Sequence, residues 1–392
     1  MDDLRVSLVH DWLVGMRGGE RVLEELCLLF PTAPVYTFFY RPGSVSHTIE
    51  EHAIKVNPLG RLPWVCRHHR ATLPLLPWQA SRLRIAPCDL VISTSHCVAG
   101  SVNAPRGALH LSICFTPMRY IWGMQGAYVG GGVKRVVYEG FASLLRTWDR
   151  ATASRVDRFV AISESVRARI AHAYGRDAEV VYPPVDTDRF RPAGKAEDYF
   201  LVVSALVPYK RIDLVLESFR GRSEQVLVAG DGPLLRRLRA RASPNVRMLG
   251  FVEDSELPGL MARCRALLFP GEDEFGIAAV EAQAAGRPVI ALGRGGATET
   301  VIPPGCGRSP TGVLFSEPSA QALTNAIEGF GQIESAFDPQ AIRAHALRFS
   351  RERFRAGIAR VVADLCRNGP ACPVRSPSSK ASTLRGSGEP IA

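Results

Sequence analysis

Hydrophobic and polar positions recur along the chain in one order. A short apolar run comes first, then a polar or glycine-rich turn, then a helix with one apolar face. The apolar run at 5–10 predicts a first strand and 11–17 a loop. Gly18 and Gly19 then open a helix over 20–30, with Val22, Leu23, Leu26, Leu29 and Phe30 on one face. Strands are expected at 89–94 and 109–114. Residues 138–173 read as largely helical, broken by a short strand at 158–162, after which Ser163 and Glu164 give a helix-start signal. The second half alternates more regularly. Its strands are expected at 200–204, 225–229, 247–249, 265–269, 288–292 and 311–315. Helical patterns lie at 212–220, 233–242, 255–263 and 277–285, followed by amphipathic helices at 319–330 and 351–366. Alternation of strand and helix implies parallel sheets with right-handed crossovers.

This order divides the chain. Residues 1–180 form a first Rossmann-like domain and 181–198 a linker, stiffened by Pro183 and Pro184. Residues 199–350 form a second Rossmann-like domain. A helix at 351–367 is expected to fold back on the first. Residues 368–392 are rich in Pro, Ser and Gly, too poor in apolar side chains to fold, and expected to be disordered.

Composition narrows the class. Hydrophobic residues make up 46% and charged residues 22%, the balance of a soluble globular protein. No apolar run approaches the ~18 residues that a membrane-crossing helix needs. The opening MDDLRVSLVH has acids where a signal peptide has positive charge, so a cytoplasmic location is expected. Nine cysteines are scattered without a Cys-x-x-Cys pair, and Cys66 near His68 and His69 lacks further ligands. They read as reduced thiols, and no metal is expected.

The net charge of +10 gathers partly in one stretch. Residues 53–88 hold Lys55, Arg61, Arg67, Arg70, Arg82 and Arg84 with no acid, interleaved with Trp64, Trp78 and several leucines. Such a mixture suits an anionic membrane surface, here the inner face. It also suits an ordinary packed insertion with a charged exterior. No RNA-binding motif accompanies the charge, so no nucleic-acid partner is expected.

The richest chemistry lies at 265–299. A buried strand leads to Glu272, Asp273 and Glu274, then Phe275-Gly276, a small-residue helix beginning at Ile277, a second strand, and Gly293, Gly295 and Gly296. A helix N-terminus offers free N–H groups and a positive dipole end, which suit phosphate. Ionised carboxylates only accept hydrogen bonds and suit hydroxyls. Asp273 and Glu281 can grip hydroxyls on either side of a phosphate, the layout of a nucleotide-sugar. A solvated acidic loop before a capped helix is the plainer alternative. Lys210 and Arg211 follow the strand at 200–204, where their charge can neutralise a diphosphate.

The run from Asp273 to Glu281, around Phe275-Gly276, resembles the C-terminal motif of retaining glycosyltransferase family 4. The run HDWLVGMRGGERVLEEL, with His10, Asp11, Gly18, Gly19 and Glu20, resembles the first motif of its mannosyltransferase-like members. The resemblance spans roughly 4–365. It implies the GT-B fold: two Rossmann-like doubly wound domains facing across a cleft, acceptor on the first and nucleotide-sugar on the second. It implies transfer of a hexose, mannose from GDP-mannose, to a lipid-linked or saccharide acceptor in cell-surface polysaccharide assembly. No cofactor is needed, because the nucleotide-sugar is a substrate.

The same resemblance assigns roles. Glu281 holds the ribose, and Asp273 or Glu274 the hexose. Lys210 and Arg211 share the diphosphate with Gly18, Gly19, Phe275, Gly276 and Ile277, and Glu299 recurs near the nucleotide. His10, Asp11, His96 and Arg119 are acceptor or cleft candidates. Four positions depart from the family: Phe115 where histidine is usual, Gly123 for aspartate, Ala205 for arginine, and Asp273 for glutamate. A phenyl ring moves no proton, which excludes a mechanism resting on a histidine at 115. Two alternatives stay open: a weakly catalytic nucleotide-sugar-binding scaffold, and a UDP-sugar-dependent transferase. Asp186-Thr187-Asp188 spells the Asp-x-Asp metal signature of a different fold, and the resemblance places it in the connector.

Overall fold

A computed structural model describes residues 4–61, 75–122 and 133–368. Expectations for Trp64, Arg67, Arg70, the cysteine and histidines at 66–69, Gly123, the glycine-rich stretch 126–132 and the tail beyond 368 fall outside them.

Two sheets organise the chain. The first has seven strands in the order β3-β2-β1-β4-β5-β6-β7. These are β1 (Val6–Leu13), β2 (Val35–Tyr40), β3 (Ile54–Val56), β4 (Leu90–Ser95), β5 (Leu109–Cys114), β6 (Arg158–Ala161) and β7 (Ala178–Val180). The second has six, in the order β10-β9-β8-β11-β12-β13. They are β8 (Tyr199–Val203), β9 (Gln225–Ala229), β10 (Val246–Gly250), β11 (Leu267–Phe269), β12 (Val289–Leu292) and β13 (Gly312–Phe315). All the pairings are parallel. Helices cover both faces, so strands such as β4 and β12 are buried at each position and read as unbroken apolar runs. The expected architecture of two doubly wound α/β lobes is therefore present. In each sheet the order reverses beside the first strand, between β1 and β4 and between β8 and β11. Such switch points open a crevice at the strands' carboxyl ends.

Several local expectations need correction. β1 does not end at His10 but runs to Leu13, with Trp12 opposite Phe39 and Leu13 opposite Tyr40. Asp11 is therefore a strand residue, not a loop residue. β2 went unforeseen because a six-residue strand buried on both faces shows no alternation. β3 and β7 are three-residue edge strands, too short to leave a pattern. A helix at Pro339–Ala346 was also missed, although Asp338 accepting from the Gln340 N–H and proline at the first helical position are legible start signals.

The connector leaves the first lobe after β7, and Val185 pairs with Ser350 as the chain returns. The helix Arg351–Asn368 then lies against the first lobe. Phe354, Ile358, Val361, Val362 and Leu365 form its buried face and join one core with Leu111, Ile113 and Val160. Arg351 and Arg355 both bond the buried Glu25 carboxylate on the helix Gly18–Leu29, Arg355 at 2.8 Å. Asp186 accepts from the Arg189 N–H at 3.2 Å and faces Arg351 at 3.4 Å.

Candidate active site

The two switch points face each other. From the first lobe comes the start of the helix Gly18–Leu29, and from the second the start of the helix Ile277–Ala284. They approach so closely that a Cβ on Gly18 would lie 2.8 Å from Ile277 Cδ1. A Cβ on Gly19 would lie 3.1 Å from the Phe115 ring and 3.5 Å from the His10 ring. Bare backbone N–H groups thus line both sides of the gap. Gly276 caps the second helix with φ +90°, a conformation that glycine adopts without strain.

Glu281 sits one helical turn beyond Ile277 and therefore on the same side of its helix. It is 7% exposed, and its carboxylate makes no hydrogen bond or ion pair among the described residues. Burial pushes its carboxyl up to about 7, against the opposing pull of Arg21 and Arg189. Those arginines are gathered by Asp254, which bonds Arg21 of the first lobe at 3.3 Å and Arg189 of the connector at 3.4 Å. A buried carboxylate with free oxygens can accept hydrogen bonds from hydroxyl groups.

Lys210 and Asp273 meet because β8 and β11 are neighbours. The turns beyond them come so close that a Cβ on Gly271 would lie 2.8 Å from Lys210 Cα. Lys210 Nζ donates to both Asp273 oxygens, at 2.5 Å to Oδ1. The cation and the acid expected at a diphosphate and a hexose therefore hold each other. Arg211 stands apart. Its guanidinium bonds Asp213 at 3.1 Å and the Pro318 carbonyl at 3.3 Å.

The acids of the loop reach across to the first lobe. Glu274 accepts from Arg119 at 2.9 Å, and Glu272 from Arg169 at 2.9 Å. Arg119 also lies over the Tyr209 ring, 5.6 Å from its centroid. Arg169 and Tyr209 had no distinguishing sequence signal, because only the fold brings their helix and turn to this loop.

The structure engages the other candidates in contacts of their own. Asp11 is fully buried and accepts from the N–H groups of His96, Cys97, Val98 and Ala99 at 2.7–2.9 Å. It anchors the turn after β4 and presents no oxygen to the cleft. His10 is buried too, with Nδ1 2.7 Å from Thr94 Oγ1 and Nε2 3.8 Å from Glu20. His96 keeps 24% of its side chain exposed, edge-on to Trp12 at 4.5 Å, and burial lowers its pKa. The Phe275 ring is buried between Tyr182 and Phe349, so only its backbone faces outward. Glu299 accepts from the Glu164 and Ser165 N–H groups at 2.9 and 3.1 Å, capping a helix of the other lobe.

Two doubly wound lobes, facing across a cleft lined with helix starts, define the GT-B class. Residues 16–189 match the family described as Glycosyltransferase Family 4, and residues 186–336 that described as Glycosyl transferases group 1. The chain carries both of these glycosyltransferase domains, which together span residues 16–336. It is similar to the GDP-mannose-dependent alpha-(1-6)-phosphatidylinositol monomannoside mannosyltransferase of Mycobacterium tuberculosis, at 34% identity over 198 residues, 42% of this chain and 50% of that protein. It is also similar to the O-antigen chain mannosyltransferase RfbU of Salmonella typhimurium, at 29% over 153 residues, 36% and 43% of the two chains. The chain thus spans about half the length of the curated relatives it matches. Among solved structures, Anabaena Alr3699/HepE in complex with UDP shares the fold, with TM-score 0.68, 18% identity, and 92% and 100% of the two chains covered.

Proposed function

We propose that the chain is a retaining hexosyltransferase that moves mannose from GDP-mannose to a lipid-linked or saccharide acceptor. The observation that carries this reading is Glu281, a buried carboxylate without a partner among the described residues, beside a helix start that faces Gly18 and Gly19. Similarity to mannosyltransferases, one of them GDP-mannose-dependent, supports the donor. In this reading Glu281 accepts from the ribose hydroxyls. The diphosphate sits at the N–H groups around Gly276 and Gly18-Gly19 and draws Lys210 from Asp273. Asp273, released, and Glu274 accept from the hexose hydroxyls.

The chemistry breaks the bond from the anomeric carbon to the diphosphate oxygen and forms one from that carbon to the acceptor oxygen, on the same face. The departing diphosphate takes the acceptor's proton. Negative charge grows on the diphosphate in the transition state, and preorganised N–H groups and Lys210 stabilise it there. No protein nucleophile is assigned, and Phe115 removes the histidine that related chains place nearby. Closing the lobes keeps water from the donor.

Residues 53–88 would bring the first lobe to an anionic membrane. Trp78 is 49% exposed with the Arg82 guanidinium 4.6 Å over its ring, an apolar body with a basic rim. No described helix is long and apolar enough to cross a membrane.

The test is a panel of nucleotide-sugars with a membrane lipid extract as acceptor, followed by linkage and anomer analysis of the product. Mannose transferred from GDP-mannose in the α configuration supports the reading. Nucleotide binding without transfer or donor hydrolysis would instead favour a scaffold. For the surface, Arg61, Arg67 and Arg70→Glu should release the protein from sedimented membranes, and unchanged fractionation and activity would reject that docking.

A further inference from the structure

A second recess opens between the lobes beside the Lys210–Asp273 pair, with a volume of about 570 Å³. That is within the ~300–1,000 Å³ of small-ligand pockets. Trp122, Arg169, His172, Glu272, Glu274 and Arg294 contribute to its wall, whereas Lys210, Asp273, Gly276 and Glu281 do not. It therefore adjoins the donor site, sharing Glu274 on the hexose side, and lies apart from the diphosphate cradle at Lys210, Gly276 and Glu281.

Three of its four arginines are held by carboxylates. Glu274 is paired with Arg119 at 2.9 Å, Glu272 with Arg169 at 2.9 Å, and Arg211 with Asp213 at 3.1 Å. Of the wall's arginines, only Arg294 makes no side-chain hydrogen bond or ion pair among the described residues. One spare cation among paired charges is a poor match for a diphosphate. Acceptor-only carboxylates alternating with donor-only guanidinium groups suit a neutral polyol, whose hydroxyls do both.

The apolar part of the wall is held with care. The Trp122 indole N–H donates to Asp149 Oδ2 at 2.8 Å, and the Tyr174 hydroxyl donates to the same oxygen at 2.9 Å. Asp149 is 3% exposed. Tyr174 meets the indole edge-on at 6.3 Å, and the Arg150 guanidinium lies 5.3 Å from the ring centroid. With its N–H engaged and the Arg150 guanidinium over one face, the indole has its other face to offer a ligand. The C–H face of a pyranose is apolar and slightly positive, the complement of that surface.

We propose that this recess is the acceptor subsite and takes a neutral saccharide whose ring stacks on Trp122. The proposal rests on the transferase reading above and adds what the acceptor presents. Asp149 is a positioning residue that fixes the indole and touches no substrate. The experiment measures transfer of radiolabelled mannose from GDP-mannose to a membrane lipid extract, with donor and acceptor titrated separately. Trp122→Ala should raise the apparent acceptor KM about tenfold, the equivalent of the ~1.4 kcal/mol that a good aromatic contact supplies. Trp122→Phe should restore it to within threefold, and donor KM should stay within twofold in both. An acceptor KM within twofold for Trp122→Ala overturns the subsite. A raised donor KM, read also by donor hydrolysis without acceptor, assigns the recess to the donor hexose and overturns it as well. If the wild-type protein neither transfers nor hydrolyses any donor, the transferase reading fails and this subsite fails with it.

Discussion

Glu281→Gln sets stability against function at one atom. Burial raises the carboxyl from 4.5 to about 7, so at pH 8 the empty protein holds a buried charge that water would solvate better. That rise corresponds to roughly 3 kcal/mol of native-state cost at pH 8. Between about 4.5 and 7 the native chain keeps a proton that the unfolded chain has shed, so stability falls as pH rises through that window. Glutamine removes the charge but buries an amide without partners, returning roughly 1–3 kcal/mol of the gain. The variant should therefore melt higher than wild type at pH 8, by a few degrees, and no higher at pH 5. Nucleotide affinity should move oppositely. Losing hydrogen bonds to a charged acceptor costs ~1.5–3 kcal/mol, or roughly 10- to 100-fold in Kd for GDP. Thermal melts from pH 5 to 8, with and without GDP, and calorimetric titration read both effects. A melting difference independent of pH, or unchanged GDP affinity, refutes the reasoning.

Other outcomes follow from the same geometry. Lys210→Ala should lower kcat by ~100-fold or more, the ~2.7–4 kcal/mol of one lost transition-state donor, and a steady-state loss under threefold would remove its role. Gly296→Ala should destabilise by at least ~1–3 kcal/mol, because its Cβ would sit 2.2 Å from Phe275 Cα, and an unchanged melting temperature would contradict that packing. Asp149, raised from 3.8 to about 6 by burial, makes stability fall as pH rises from about 4 to 6. Asp149→Asn keeps one carbonyl oxygen for both Trp122 and Tyr174 and should flatten that part of the melting profile. Equal slopes in the two proteins would count against it.

What the sequence made legible was local. Strand, turn and helix around Gly18-Gly19 and around Gly276 can be read from a few neighbouring residues, because each unit forms from short-range pattern. Parallel pairing followed from their alternation. The partners of the polar groups were not legible. Asp11 looked like a cleft residue until β4 placed four N–H groups around it. Glu299 looked nucleotide-facing until the helix beginning at Glu164 took both its oxygens. Arg169 and Tyr209 carry no motif, and only the meeting of the lobes gives them a place. The pairing of Lys210 with Asp273 likewise depends on which strands are neighbours in the sheet, which spacing along the chain does not encode.

The account turns on where a nucleotide-sugar lies, and a crystal structure with GDP-mannose measures that directly. The prediction is ribose oxygens at about 2.6–3.0 Å from Glu281, the diphosphate against Gly18, Gly19 and Gly276, and Lys210 turned from Asp273 toward it. A nucleotide bound elsewhere, with Lys210 still on Asp273, would contradict it.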